Sequence, residues 1–151
     1  MLLLVRHGIA EDKHPDGDLA RRLTAAGRAL FERHAQDLAQ RVHITRVVAS
    51  PAARARDSAE ILAQALGVRA VELRSDLASP AVDAAAILAA VNQLGPGVAI
   101  VSHNPALADA VTRLLGRQAR VGFSPGTAVA LSRDSSVAGW VLRFTHHPPS
   151  I

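Results

Sequence analysis

Three short apolar runs in this 151-residue sequence each stop at polar residues suited to an anion. Residues 2–5 end at Arg6-His7-Gly8, residues 47–49 at Ser50-Pro51 with Arg54 just beyond, and residues 98–101 at Ser102-His103-Asn104-Pro105. A guanidinium presents a fork of donors that matches the oxygens of an oxyanion. Imidazole keeps a lone pair near neutral pH and can therefore act as a nucleophile. Gly8 lets the chain turn sharply beside the Arg-His pair. If Arg6, His7, Arg54 and His103 meet, with helix N-termini adding donors, the enclosed volume favours a phosphoryl group. His7 would attack phosphorus to form a phosphohistidine that water then hydrolyses, while Arg6, Arg54 and His103 offset charge on the equatorial oxygens. No metal and no other cofactor is expected. Magnesium-dependent phosphoryl chemistry would place carboxylates at these strand ends, and they carry cationic or neutral residues instead.

Such convergence needs the three runs to be parallel strands of one sheet, since open α/β sheets bind ligands at the carboxyl ends of their strands. Continuous apolar runs are what strands covered on both faces require. Helical stripes separate them. Thr24 can cap a helix over 25–40 that carries Phe31, Ala35, Leu38 and Val42. Ser50-Pro51 can open a second helix with Ala55, Ala59, Leu62 and Leu66, stopped by Gly67. Arg54 in its first turn can lean back over the strand ends, whereas Arg56 lies about 200° around the helix and reads as a solvated charge. Residues 70–73 read as a short strand. Ser79-Pro80 can open a third helix with Ala84, Ile87, Val91 and Leu94, and Asn104-Pro105 a fourth reaching Gly116. Residues 126–131 and 140–144 read as an edge hairpin around a polar turn at 133–139, with Trp140, Leu142 and Phe144 on one face. Residues 9–23 lack periodicity and read as a loop beside the site, and the end from His146 reads as a frayed tail. The expected fold is α/β: a three-layer α/β/α sandwich with a mostly parallel sheet and an antiparallel edge, in one domain over 1–151.

Composition narrows the function. The net charge is +4 with a sequence pI near 11.2, but sixteen of the seventeen basic residues are arginine and they are scattered. With 3% aromatic residues there is no stacking platform, which argues against nucleic acid. No stretch approaches the roughly 18 apolar residues of a membrane span. The first residues lack a signal-peptide pattern, so a cytoplasmic location is expected. The absence of cysteine excludes thiolate chemistry and disulfides.

Taken in order, Val5-Arg6-His7-Gly8, the segment 21–28 with Arg21, Leu23, Thr24 and Gly27, Ser50-Pro51 through Arg54 to Ser58 and Glu60, Val101-Ser102-His103-Asn104-Pro105, and Pro125-Gly126 cover nearly the full length. In these motifs the chain resembles the histidine phosphatase superfamily, with its phosphoglycerate mutase-like fold, and within it the short SixA-type phosphohistidine phosphatases. The resemblance implies that His7 is the phosphorylated nucleophile and that Arg6, Arg54 and His103 complete the phosphate pocket. Arg21 matches an arginine near that pocket, although a solvent-facing role fits equally. Asn104 is a further phosphate-binding candidate. Ser58 stands where many relatives have threonine, and Arg22 where the short members commonly have proline.

A leaving alkoxide needs a general acid. By position Asp76 is the candidate, with Glu11 and Asp12 as rivals from the first loop and a turn-capping role for Asp76 as the alternative. A phosphohistidine substrate would ease this requirement. His14, His34 and His43 read as surface residues. His146-His147 does not read as a metal pair, because neighbouring residues on a strand point to opposite faces. The expected activity is therefore a metal-independent phosphatase whose partner is a phosphohistidine-bearing protein, with no large insertion to form a lid over a metabolite. The alternatives are a phosphomonoesterase on a sugar or nucleotide phosphate and a non-catalytic phosphate-binding module.

Overall fold

Alternation along the first strand sets the architecture. In the computed structural model, which describes residues 1–116, 121–133 and 139–149, β1 (Leu2–Arg6) is buried from Leu2 to Val5. Leu2 and Leu4 face one helical layer, Leu3 and Val5 the other. A run without polar residues is what a central strand between two apolar layers needs.

The sheet order is β3-β2-β4-β1-β5-β6. β1, β2 (Arg46–Ala49), β3 (Val71–Leu73) and β4 (Val98–Ser102) are parallel, while β5 (Ala128–Arg133) runs antiparallel to β1 and β6 (Trp140–His146) antiparallel to β5. α1 (Ala25–Ala39) and α2 (Ala53–Leu66) pack through Phe31, Ala35, Leu38, Ala55, Ala59 and Leu62 on one face. α3 (Ala84–Leu94) and α4 (Ala106–Leu115) pack through Ile87, Val91, Leu107 and Val111 on the other. The α/β/α arrangement and the antiparallel edge are those expected. Among the described residues no helix is long and apolar enough to cross a membrane.

Several local expectations are corrected. α3 begins at Ala84 rather than at Ser79-Pro80, because the Asp83 carboxylate accepts the Ala86 amide at 2.8 Å and caps it. α2 likewise begins at Ala53, since Ser50 Oγ accepts the Ala52 amide two residues on. β5 starts two residues late because Gly126, at φ 87°, forms a turn whose amide donates to the carbonyls of Arg6 and His7. A bulge between Ala130 and Leu131 inverts the alternation of β6, so Trp140 packs on the α3/α4 side and Phe144 on the α1/α2 side. Most of the turn expected at 133–139 lies outside the described residues, as do residues 117–120 and 150–151.

His34 is also corrected. It is fully buried on the inner stripe of α1, its ring 5.8 Å from Phe31 and 4.8 Å from His146. His43 is exposed and His14 partly so. His146 closes β6 and His147 Nδ1 is bonded to Thr127 Oγ1 at 2.8 Å, so these two residues are tied down rather than frayed. At Gly27 a side chain could not fit, since a Cβ would lie 2.3 Å from the Ile9 carbonyl, which receives the Thr24 amide where the 9–23 loop enters α1.

Candidate active site

Parallel pairing brings the three strand ends together. Arg6 pairs with Ser102 and Ala49 with Val101 in register. The ladder continues past the strands, where the His7 amide donates to Ser102 and the Ser50 amide to Val101. His7, Ser50 and His103 therefore emerge side by side on the carboxyl edge. The rings of His7 and His103 lie 5.2 Å apart, tilted by 58°. They line a cleft of about 530 Å³ with Arg6, Arg21, Arg54, Asn104 and the starts of α3 and α4.

The tautomer of His7 follows from its neighbour. His7 Nδ1 lies 2.7 Å from the Gly8 carbonyl, which can only accept, so Nδ1 carries the proton and Nε2 keeps its lone pair. The Gly8 amide is held in turn by Ser58 Oγ at 3.0 Å, and Ser58 donates to the Arg54 carbonyl. One face of α2 thus fixes both the turn and an arginine. His103 is held by Ser50, whose Oγ lies 2.7 Å from Nε2.

Burial, partly offset by the Gly8 bond and reinforced by His103, Arg54 and Arg6, lowers the His7 pKa to about 3. Burial and then Arg54 lower His103 to about 4, and burial with His146 lowers His34 to about 4. All three imidazoles are neutral at pH 7. An unfolded chain protonates them near pH 6.5, so below that the unfolded state binds more protons and stability falls. The slope is about 1.4 kcal/mol per pH unit for each imidazole once it is protonated only when unfolded. Urea midpoints should drop steeply from pH 6.5 to 5, above the range where carboxylates contribute, and a flat profile there would refute the neutral burial of these rings.

Arg54 is buried in the first turn of α2, as its position predicts, with Nη1 donating to the Asp18 carbonyl at 2.8 Å and Nη2 to its carboxylate at 3.2 Å. Arg6 donates from Nη1 to the Phe123 carbonyl at 2.8 Å. The Nε atoms of both are buried without a partner. Burial lowers the pKa of each guanidinium, yet both remain charged. Arg21 reaches the cleft, donating to the Glu11 carbonyl and to Asp18. Asn104 also lines it, but its Oδ1 accepts the Ala108 amide in the first turn of α4, so only its amide group has donors to offer. Arg56 is exposed on a different groove.

Asp76 is not brought to the site. Its carboxylate takes two bonds from Arg74, at 2.8 and 3.0 Å, which hold it below the usual carboxylate range, and it does not line the cleft. Asp18 is the carboxylate that sequence reasoning missed. Burial opposes its ionisation, but Arg54 and Arg21 outweigh that and keep it anionic. Asp83 and Asp109, at the starts of α3 and α4, line the cleft itself, whereas Asp18 reaches it only through Arg54 and Arg21, and only proximity to helix starts marks Asp83 and Asp109 in the sequence. No cluster of three or more His, Asp or Glu placed to hold a metal is present among the described residues.

Solved structures share this fold. The chain overlays the protein histidine phosphatase SixA complexed with tungstate at TM-score 0.80 and 26% identity, covering 97% of this chain and 96% of that one. A SixA phosphohistidine phosphatase candidate from Nakamurella multipartitia overlays at 0.76 and 28%, covering 99% and 96%. A mycobacterial glucosyl-3-phosphoglycerate phosphatase shares the fold at 0.65 and 18%, covering 93% and 95%. No curated protein matches significantly. The family described as histidine phosphatase superfamily, branch 1, matches residues 2–79, the half that contains His7, Arg54 and the loop between them, and the chain belongs to that superfamily.

Proposed function

We propose that this protein is a metal-independent phosphatase that forms a phosphohistidine on His7, and that its favoured substrate is a protein phosphohistidine. The observation that carries this reading is the Nδ1 bond to Gly8, which leaves the Nε2 lone pair beside Arg6, Arg54 and His103 in a cleft. Nε2 attacks phosphorus as the bond to the leaving group breaks. Water then attacks phosphorus, the phosphoryl–Nε2 bond breaks, and inorganic phosphate leaves with His7 regenerated. His103 and the guanidiniums stabilise the equatorial oxygens in both steps.

The substrate class rests on the carboxylates. Asp76 is engaged by Arg74, Asp18 is held ionised between two arginines and Asp83 accepts the Ala86 amide, so none of these three is a ready proton donor, and Asp109 is the cleft carboxylate left to serve an ester substrate. An imidazole leaving group needs less acid assistance than an alkoxide. The SixA structure holds tungstate, a tetrahedral oxyanion, which is consistent with a phosphoryl site in the shared fold.

The test compares a phosphohistidine-bearing protein, an aryl phosphate and a panel of sugar and nucleotide phosphates, all with EDTA. The phosphohistidine protein is expected to exceed every ester in kcat/KM by about 100-fold or more, without loss to the chelator. A sugar or nucleotide phosphate that is turned over better would replace the protein substrate by a metabolite. Phosphate binding without any turnover would leave a binding module.

A further inference from the structure

We propose that Arg22 and Asp57 form a clasp that positions Arg21 at the phosphate site, an inference that rests on the cleft's binding a phosphoryl group. Asp57 lies on α2 one turn beyond Arg54 and is only 2% exposed. It accepts Arg22 Nη2 at 2.9 Å and Nε at 3.1 Å, with Arg28 at 3.8 Å. Neither Arg22 nor Asp57 lines the cleft.

The 9–23 loop has little apolar packing to hold it. Residues Asp18–Ala20 bury nothing, and Leu19 is 48% exposed. At its base an isolated bridge joins Ala10 to Leu23, and the Glu11 amide donates to the Arg22 carbonyl. Beyond that, two ion pairs of opposite polarity tie it to α2. The loop offers Asp18 to Arg54, and α2 offers Asp57 to Arg22.

These pairs respond differently to an oxyanion. A phosphoryl group on Arg54 repels the Asp18 carboxylate and competes for its donors. The Arg22–Asp57 pair is outside the cleft and is untouched by that competition. It is a two-bond fork onto a buried carboxylate, the geometry in which Arg is not replaceable by a point charge. Arg21 is the next residue along the chain, so the clasp keeps its guanidinium at the cleft when Asp18 is displaced.

The experiment measures orthovanadate dissociation constants and aryl phosphate kinetics for the native protein, Arg22→Ala, Asp57→Asn and each change in an Arg21→Ala background. Both single variants are expected to weaken vanadate by about tenfold, with the loss falling on KM more than on kcat. In the Arg21→Ala background neither should add more than about twofold. Simple through-space electrostatics makes a different prediction, since one variant removes a positive charge and the other a negative one: Asp57→Asn would tighten vanadate. Tightening or no change in Asp57→Asn, or a full additional loss in the Arg21→Ala background, overturns the clasp. If Asp57→Asn does not fold, Arg22→Ala alone decides through the Arg21→Ala comparison, since the Arg22 side chain is 59% exposed and its removal leaves no cavity. A native protein that binds vanadate without turnover refutes the catalytic reading and leaves this test intact. One that binds no vanadate overturns both.

Discussion

Replacing His7 with alanine is expected to lower kcat/KM on an aryl phosphate by about 10⁴-fold or more, because the substitution removes the atom that bonds to phosphorus in the proposed mechanism. Little else should change. The Gly8 amide keeps its bond to Ser58, and the carbonyl at position 7 keeps the Gly126 amide at 2.8 Å, so the turn survives. Vanadate should still bind through Arg6, Arg54 and Arg21. The decisive measurement is rapid quench with radiolabelled substrate, in which the native protein should accumulate acid-labile, base-stable phosphate and His7→Ala none. If the variant retains activity within tenfold of native, or if the label sits elsewhere, the nucleophile is not His7.

Arg54→Ala carries the second large effect, a fall in kcat/KM of about 10³-fold, since losing one positioned donor to a developing oxyanion costs 10²–10³-fold and Arg54 has a further role. It neutralises Asp18. Without it the carboxylate remains beside the cleft, held only by Arg21, and repels the incoming phosphoryl group. Adding Asp18→Asn to Arg54→Ala should therefore recover about tenfold, although each single change alters the same ion pair. No recovery in the double variant would mean that Asp18 turns away once unpaired, and that its contact with Arg54 has no bearing on substrate.

What was legible in the sequence was whatever depended on one element at a time. The run from Leu2 to Val5 shows a strand covered on both faces, and Arg54, three residues beyond Pro51, follows from helical geometry. Parallel strands then placed His7 and His103 together without further information. What stayed hidden depended on contacts between segments. His34 looked like a surface histidine because nothing nearby in sequence shows that β6 brings His146 onto it. Asp76 had the right position in the chain, but Arg74, two residues away, takes its carboxylate. The pairs Asp18–Arg54 and Asp57–Arg22 span 36 and 35 residues, and a loop without periodicity gives no means of matching them. The bulge in β6 is likewise a single extra residue that composition does not announce.

The position of β1 in the sheet bears on how the protein is made. Its two neighbours are β4, which begins at Val98, and β5, which begins at Ala128. During synthesis at about 5–20 residues per second, the apolar strand that leads to His7 therefore waits for several seconds before either flank exists. The Gly126 amide that secures the His7 carbonyl arrives later still than β4. The nascent chain must keep Leu2 to Val5 from pairing with other chains throughout that interval. The candidate site is thus complete only after nearly all of the sheet is in place, and nascent fragments ending before the final hairpin should neither bind vanadate nor stay unassociated.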